Sequence, residues 1–425
     1  LASGMEVFGI ENNEVPLVQF EMQIKGGMLL ENRDKIGVSN LLASLLTKGT
    51  QQKTPEELEY AIEMLGANIS TYATDDAVII SGTTLSKYFD ETIELVAEIL
   101  LEPRWDDKEF ELVKQSTLSN IMRRQANPNN IASRLYSRLI YGEDHILAQE
   151  NIGTQSSVES ITIQNLQSYY QTNLSPHLTK MHVVGAVKPE QVLSALTTIN
   201  TKWATKDVEL PSVADPKTID SAQIYFYDVP NAKQSVLRIG NPAIAATHPD
   251  YYKVQVMNYK LGGGSFASQL TQALREDKGY TYGIRSGFSG SNYIGPFTIS
   301  SGVRSNVTFE ALELIKSILE NYGQHFTEEA LADTKSFMIK SNARAFETLG
   351  AKLNMLRDIS NYNLSEDYIS INEKAAKNMT LAELQELIDR YIQPNKMIYL
   401  IVGDANTQLD KLTDLGLGTP ILLKD

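Results

Sequence analysis

Two stretches decide the reading of this chain: SITIQNLQSYYQTNLSPHLTKMHVVG at 160–185 and NMTLAELQELIDRYIQPNKMIYLIVG at 378–403. They align without a gap. Thr162, Leu166, Pro176, Val184 and Gly185 fall on Thr380, Leu384, Pro394, Val402 and Gly403, each at an offset of 218. Working outward, Thr92–Leu100 (TIELVAEIL) matches Ala311–Leu319 (ALELIKSIL) at an offset of 219. One short helix followed by an apolar strand recurs easily by chance. Two blocks in the same order at nearly the same offset indicate an internal repeat.

The repeat divides the 425 residues into domains at 1–202 and 223–425. Between them Trp203–Ala222 (WATKDVELPSVADPKTIDSA) carries Pro211 and Pro216 and no periodicity, and reads as a linker. In the first half, Phe20–Lys25 alternates as a strand, and Val38, Leu41, Leu42, Leu45 and Leu46 space as a helix over Ile36–Leu46. Thr54 and Glu57 form a capping box for a helix over Pro55–Leu65. Ile69–Tyr72 and Ala77–Thr84 read as strands, Tyr88–Leu101 and Asp106–Arg124 as helices. In the second half, Gln234–Ile239 and Phe297–Val303 read as strands. Pro249–Leu261, Ser268–Glu276, Thr308–Tyr322 and Glu328–Phe346 read as helices. Clustered strands with long helices on one side predict an α+β fold of two tandem sandwiches.

Composition narrows function. The charge is −14, from 52 acids against 38 bases, and no dense Lys/Arg run exists, which argues against nucleic acid as a partner. Cysteine is absent, so disulfides, Cys-ligated zinc, iron–sulfur clusters and thiol nucleophiles are excluded. No apolar run approaches the roughly 18 residues of a transmembrane helix. No leader is visible. The chain begins at Leu1 without an initiator Met, inside what reads as a strand, and so reads as a trimmed form.

Residues 37–50, GVSNLLASLLTKGT, resemble the zinc helix of the M16 (insulinase/pitrilysin-like) metallopeptidases. Active members carry H-x-x-E-H there, followed by the same K-G-T ending. Two His at i and i+4 share a helix face and grip Zn²⁺, and the intervening Glu acts as base on its water. Here the matching positions are Asn40, Ala43 and Ser44, and the third-ligand position falls on Val113. The five histidines, at 145, 177, 182, 248 and 325, include no i, i+4 pair. No metal is expected in this chain.

The second half resembles the family's C-terminal domain. Residues 258–282, NYKLGGGSFASQLTQALREDKGYTY, carry a Gly-rich turn followed by L-R-E-x-x-G-x-x-Y. The likeness runs on through Gly295-Pro296-Phe297 and the V-R-x-x-V-T at Val303–Thr308. The resemblance implies that Arg275 and Tyr282 serve a catalytic site, the Arg holding a peptide carbonyl or carboxylate and the Tyr donating to an oxyanion. It further implies half of a clamshell. The zinc would lie in a partner, either an H-x-x-E-H-bearing M16 subunit or a fused half, and an unfolded peptide would be the substrate. A homodimer is the expectation for the isolated chain. The resemblance points to the bacterial periplasm, with cytoplasm or a mitochondrion-like compartment as alternatives. The competing reading is a catalytically inert structural or peptide-binding subunit, like respiratory-complex core or processing-peptidase alpha subunits. An autonomous enzyme has no support from spacing.

Overall fold

The structure is a computed structural model that describes residues 1–424, the side chains at positions 325 and 343–345 excepted, so His325 lies outside the described side chains. The first sheet contains β1 (Glu6–Glu11), β2 (Leu17–Lys25), β3 (Asn68–Ala73), β4 (Ala77–Leu85) and β5 (Thr179–Gly185) in the order β1-β5-β2-β4-β3. The second contains β6 (Gln223–Asp228), β7 (Gln234–Ile244), β8 (Thr281–Phe288), β9 (Gly295–Arg304), β10 (Ile398–Gly403) and β11 (Ile421–Leu423) in the order β11-β6-β10-β7-β9-β8. Without β11 the two orders are the same. In both, the pair β1–β5 or β6–β10 is parallel and the other shared pairs are antiparallel, while β11 adds to β6 in parallel.

The repeat is visible residue by residue. Thr162 and Thr380 both sit at helix N-caps, Pro176 and Pro394 both open a 3₁₀ turn, and Gly185 and Gly403 both end a strand. Leu166 and Leu384 are both fully buried. The strand start expected at Leu1 moves to Glu6. Residues Trp203–Ala222 form neither helix nor strand.

In β2, Val18, Phe20, Met22 and Ile24 alternate into the apolar core shared with the helices Val38–Leu46, Phe89–Leu101 and Asp107–Gln125. Full burial of such a side chain stabilises by roughly 1.5–3 kcal/mol. The interleaved residues are polar and face the helix Leu349–Tyr362, where Glu21 pairs with Arg357 at 3.4 Å and His182 Nε2 meets Ser360 Oγ at 2.7 Å. Burial first, then the neighbouring Lys180, pull the His182 imidazole down to about 4.

That helix belongs to the second half of the sequence. Two compact units emerge, 1–123 with 149–212 and 345–361, and 124–148 with 213–344 and 362–425. The division at 202/223 is therefore crossed twice. The helix Pro128–Tyr141 joins the second unit, where Ile131, Leu135 and Tyr136 cover Val236, Ile398, Leu400 and Val402. The reason lies in β10, IYLIVG. Tyr399 and Ile401 serve one core while Ile398, Leu400 and Val402 serve the other, so this strand needs cover on both faces.

Candidate functional site

The zinc-like helix spans Val38–Leu46. Asn40 is half-buried and its carbonyl accepts from Ser44 Oγ at 2.9 Å. Ala43 is fully buried and its carbonyl accepts from Thr71 Oγ1 at 2.6 Å. Val113 is a core residue on Asp107–Gln125. One amide, one hydroxyl bonded within its own helix and two hydrocarbon side chains do not fit Zn²⁺, which takes three protein ligands in a catalytic site. Among the described residues no three His, Cys, Asp or Glu come together to hold a metal. His177 lies in a 3₁₀ turn with Nδ1 2.8 Å from Ser175 Oγ, whereas His182 is buried in β5.

The helix survives for structural reasons. Its N-cap, Gly37, offers no side chain, and Glu31 fills that role by accepting from Gly37 N at 2.7 Å and Ser39 N at 2.6 Å. Burial pushes the Glu31 carboxyl up to about 7. The following K-G-T is equally structural. Gly49 has φ +94°, and a Cβ there would lie 2.8 Å from the Lys53 carbonyl oxygen. Thr50 Oγ1 bonds Glu98, which also pairs with Lys53 at 2.6 Å.

In the second unit, the expected helix Pro249–Leu261 is α-helical over Tyr251–Asn258 and then widens to a π turn at Tyr259–Gly263. Gly264 N donates to Tyr259 O at 2.7 Å, closing an i→i+5 ring. The expected helix Ser268–Glu276 reduces to an α turn at Gln269–Thr271 and a second π turn at Gln272–Asp277. Two π turns so close together mark a place where regular helix is given up, as is frequent at functional sites. Tight packing contributes at the first turn. A Cβ on Gly262 would lie 2.6 Å from Ser286 N, so only glycine lets this turn lie against β8. Asn258 secures the contact, its Nδ2 donating to Ser286 O at 2.8 Å and its Oδ1 accepting from Ser286 Oγ at 2.5 Å.

Arg275 stands in the second π turn, and Gly279 (φ +60°) ends it, donating to Arg275 O at 3.1 Å. The chain then enters β8, an edge strand of its sheet. Thr281 pairs with Val303 and Ile284 with Ser301, so Tyr282 and Gly283 together oppose the single residue Gly302. This is a β-bulge, which turns a side chain away from its regular direction. Two hydroxyls hold it: Thr281 Oγ1 accepts from Gly283 N at 3.0 Å, and Ser301 Oγ donates to Thr281 Oγ1 at 3.0 Å.

The result is a tyrosine 89% exposed. Arg275 is 41% exposed, with Nε 3.3 Å from Glu276 Oε1 and its guanidinium 4.7 Å above the Phe266 ring. Arg275 and Tyr282 line one open cavity of about 640 Å³ with Glu276, Lys278, Tyr280, Thr281 and Arg304 among its other walls. Sequence reading singled out the Arg and the Tyr. It missed Lys278, Arg304, Phe266 and the Thr281/Ser301 pair. Only Arg304 left a trace, as the Arg of the V-R pattern.

Residues 7–149 match the insulinase (peptidase family M16) pattern, and residues 160–338 match that of the peptidase M16 inactive domain. The chain belongs to the M16 family. It is 24% identical over 410 residues to the non-peptidase homolog YmxG of Helicobacter pylori, covering 94% of this chain and 92% of that one. The peptidase M16 inactive domain from Pseudomonas fluorescens superposes with a TM-score of 0.88 at 23% identity, over 96% of this chain and 98% of that one. The periplasmic protease PqqL from Escherichia coli superposes with a TM-score of 0.78 at 16% identity, over 97% of this chain but only 48% of that one. This M16 chain therefore has the two-sheet fold of inactive-domain members, and its similarity to a non-peptidase homolog accords with a degenerate zinc helix.

Proposed function

We propose that this chain is the non-zinc-binding subunit, or half, of an M16-type metallopeptidase, and that Arg275 and Tyr282 act at a site completed by a zinc-bearing M16 partner. The observation that carries the reading is the exposure of Tyr282. A tyrosine kept for packing buries its ring and satisfies its hydroxyl. This one is 89% exposed on a bulge that holds it out, beside an Arg whose ion pair is itself half open to solvent. In this reading the Arg275 guanidinium binds a carbonyl or carboxylate of an extended, unfolded peptide, and the Tyr282 hydroxyl donates to the oxyanion that forms at the scissile carbonyl. Zinc, held by the partner, supplies the activated water. The half-length match to PqqL supports a fused arrangement as the alternative form of the same pairing, and that relative's periplasmic setting supports placing this chain there too.

The test is reconstitution with a zinc-bearing M16 chain. Tyr282→Phe is expected to lower peptide turnover by about 10²–10³, the usual effect of losing one oxyanion donor, with partner binding unchanged. Wild-type turnover from the Tyr282→Phe complex would overturn the catalytic role and leave the inert structural or peptide-binding subunit as the reading.

A further inference from the structure

We propose that the cavity beside Tyr282 selects a carboxylate on the bound peptide, and that Lys278 and Arg304 are the residues that read it. The inference rests on the peptide-binding reading above and adds the chemical class of the ligand. The cavity walls carry three cations, Arg275, Lys278 and Arg304, against one carboxylate, Glu276. Glu276 is engaged by Arg275 at 3.3 Å. Among the described residues the other two cations have no acidic partner: Arg304 Nη2 donates to the Gly279 carbonyl at 3.3 Å, and the exposed Lys278 side chain has no bonded partner.

The excess runs against the sign of the chain's net charge. A net charge of −14 disfavours acidic peptides on average. This concave patch carries two cations with no acidic partner among the described residues, and clefts lined by one sign of charge concentrate ligands of the other. Geometry ties the two cations to the proposed site. Lys278 lies between Arg275 and Tyr282 in sequence, and Arg304 clamps the Gly279 turn that joins them while Arg304 N donates to Tyr280 O at 3.3 Å. The carboxylate can come from an Asp or Glu side chain or from the peptide's C-terminus. The chemistry that recognises them is the same.

The experiment measures binding of fluorescent peptides to the isolated full chain by anisotropy. Four probes share one sequence: with Glu or with Gln at the internal acidic positions, each as free C-terminal acid or as amide. At low salt the best carboxylate-bearing probe is expected to bind about tenfold tighter than the Gln amide, with the preference shrinking as salt screens it. The internal-Glu amide and the Gln free acid tell which carboxylate is read. Lys278→Glu/Arg304→Glu should abolish the preference, whereas Lys217→Glu, on the linker, should leave it intact. Equal binding of all four probes would overturn the inference. So would a preference that survives the double reversal or that Lys217→Glu removes equally. Failure here is separable from failure of the catalytic reading. Loss of turnover in Tyr282→Phe with no carboxylate preference sinks only this inference, and the converse pattern sinks only the catalytic role.

Discussion

Glu31 shows how a residue with no motif attached can hold the element that carried the resemblance. Its carboxylate caps the degenerate zinc helix from outside, through Gly37 N and Ser39 N. Burial raises its pKa from 4.5 to about 7, the Ser39 side chain and the backbone donors of Ser39, Gly37 and Val38 offsetting only part of that. A carboxyl raised in the folded state binds more protons there than in the unfolded chain across this range. Its contribution to stability is therefore whole below about 4.5 and is lost as pH rises toward 7. Glu31→Gln cannot titrate. We expect wild type to lose stability relative to Glu31→Gln as pH rises through this window, by up to about 3 kcal/mol at the usual 1.36 kcal/mol per pH unit. Urea unfolding of both proteins at several pH values checks this, and a pH-independent difference would refute it. Tyr282, proposed above as an oxyanion donor, behaves differently at the same scale. Tyr282 is so exposed that Tyr282→Phe should change stability by no more than about 0.5 kcal/mol, which makes its effect on turnover readable.

The bulge at Thr281–Gly283 does at element scale what no single side chain does. Regular pairing of β8 with β9 would not place two residues opposite Gly302, and the extra residue is what frees Tyr282 from the sheet's alternation. Thr281→Val keeps the shape and deletes the hydroxyl that joins Gly283 N to Ser301. The expected cost is about 0.5–1.5 kcal/mol, the usual net value of a hydrogen bond, since Gly283 is exposed and its N–H can turn to water. Turnover with a zinc-bearing partner should fall as well, because the substitution loosens the bulge that aims Tyr282. Thermal unfolding and the reconstituted assay together check it. Unchanged values in both would mean that the bulge holds by backbone geometry alone. The bulge was not legible in the sequence, because G-Y-T-Y-G-I reads as ordinary strand entry. The π turns escaped for a related reason. Periodicity near 3.6 reports which face is buried, whereas the widening at Tyr259–Gly263 follows from the contact of Gly262 with Ser286, residues far apart in sequence.

At the scale of the whole molecule, the exchanged helices make the two halves interdependent. A chain cut in the linker yields 1–202 and 223–425. The second fragment lacks Pro128–Tyr141, so Val236, Ile398, Leu400 and Val402 lose their cover and Tyr136 no longer donates to Phe297 O. The first lacks Leu349–Tyr362, which leaves Glu21 and His182 without Arg357 and Ser360. Each fragment alone is expected to be aggregation-prone and to unfold without cooperativity, and co-expression should restore one cooperative transition. Calorimetry of the separate and co-expressed fragments checks this. Two independently cooperative fragments would show that the exchanged helices are dispensable.

What the sequence by itself determined is what local chemistry and repetition can carry. The 218-residue offset implied two like sheets, and the helix N-caps at Thr162 and Thr380 and the strand ends at Gly185 and Gly403 are equivalent in space as they are in sequence. The loss of every metal-ligating side chain at Asn40, Ala43, Ser44 and Val113 was equally plain, since ligand chemistry belongs to the residue type. Only the tertiary structure decided which helix covers which sheet. The apolar run of β10 states that both faces are buried but contains nothing about what covers them. It also decided the direction of Tyr282 and the company of Lys278 and Arg304. Those depend on a bulge, two π turns and a chain reversal, each set by contacts between residues that no local pattern connects.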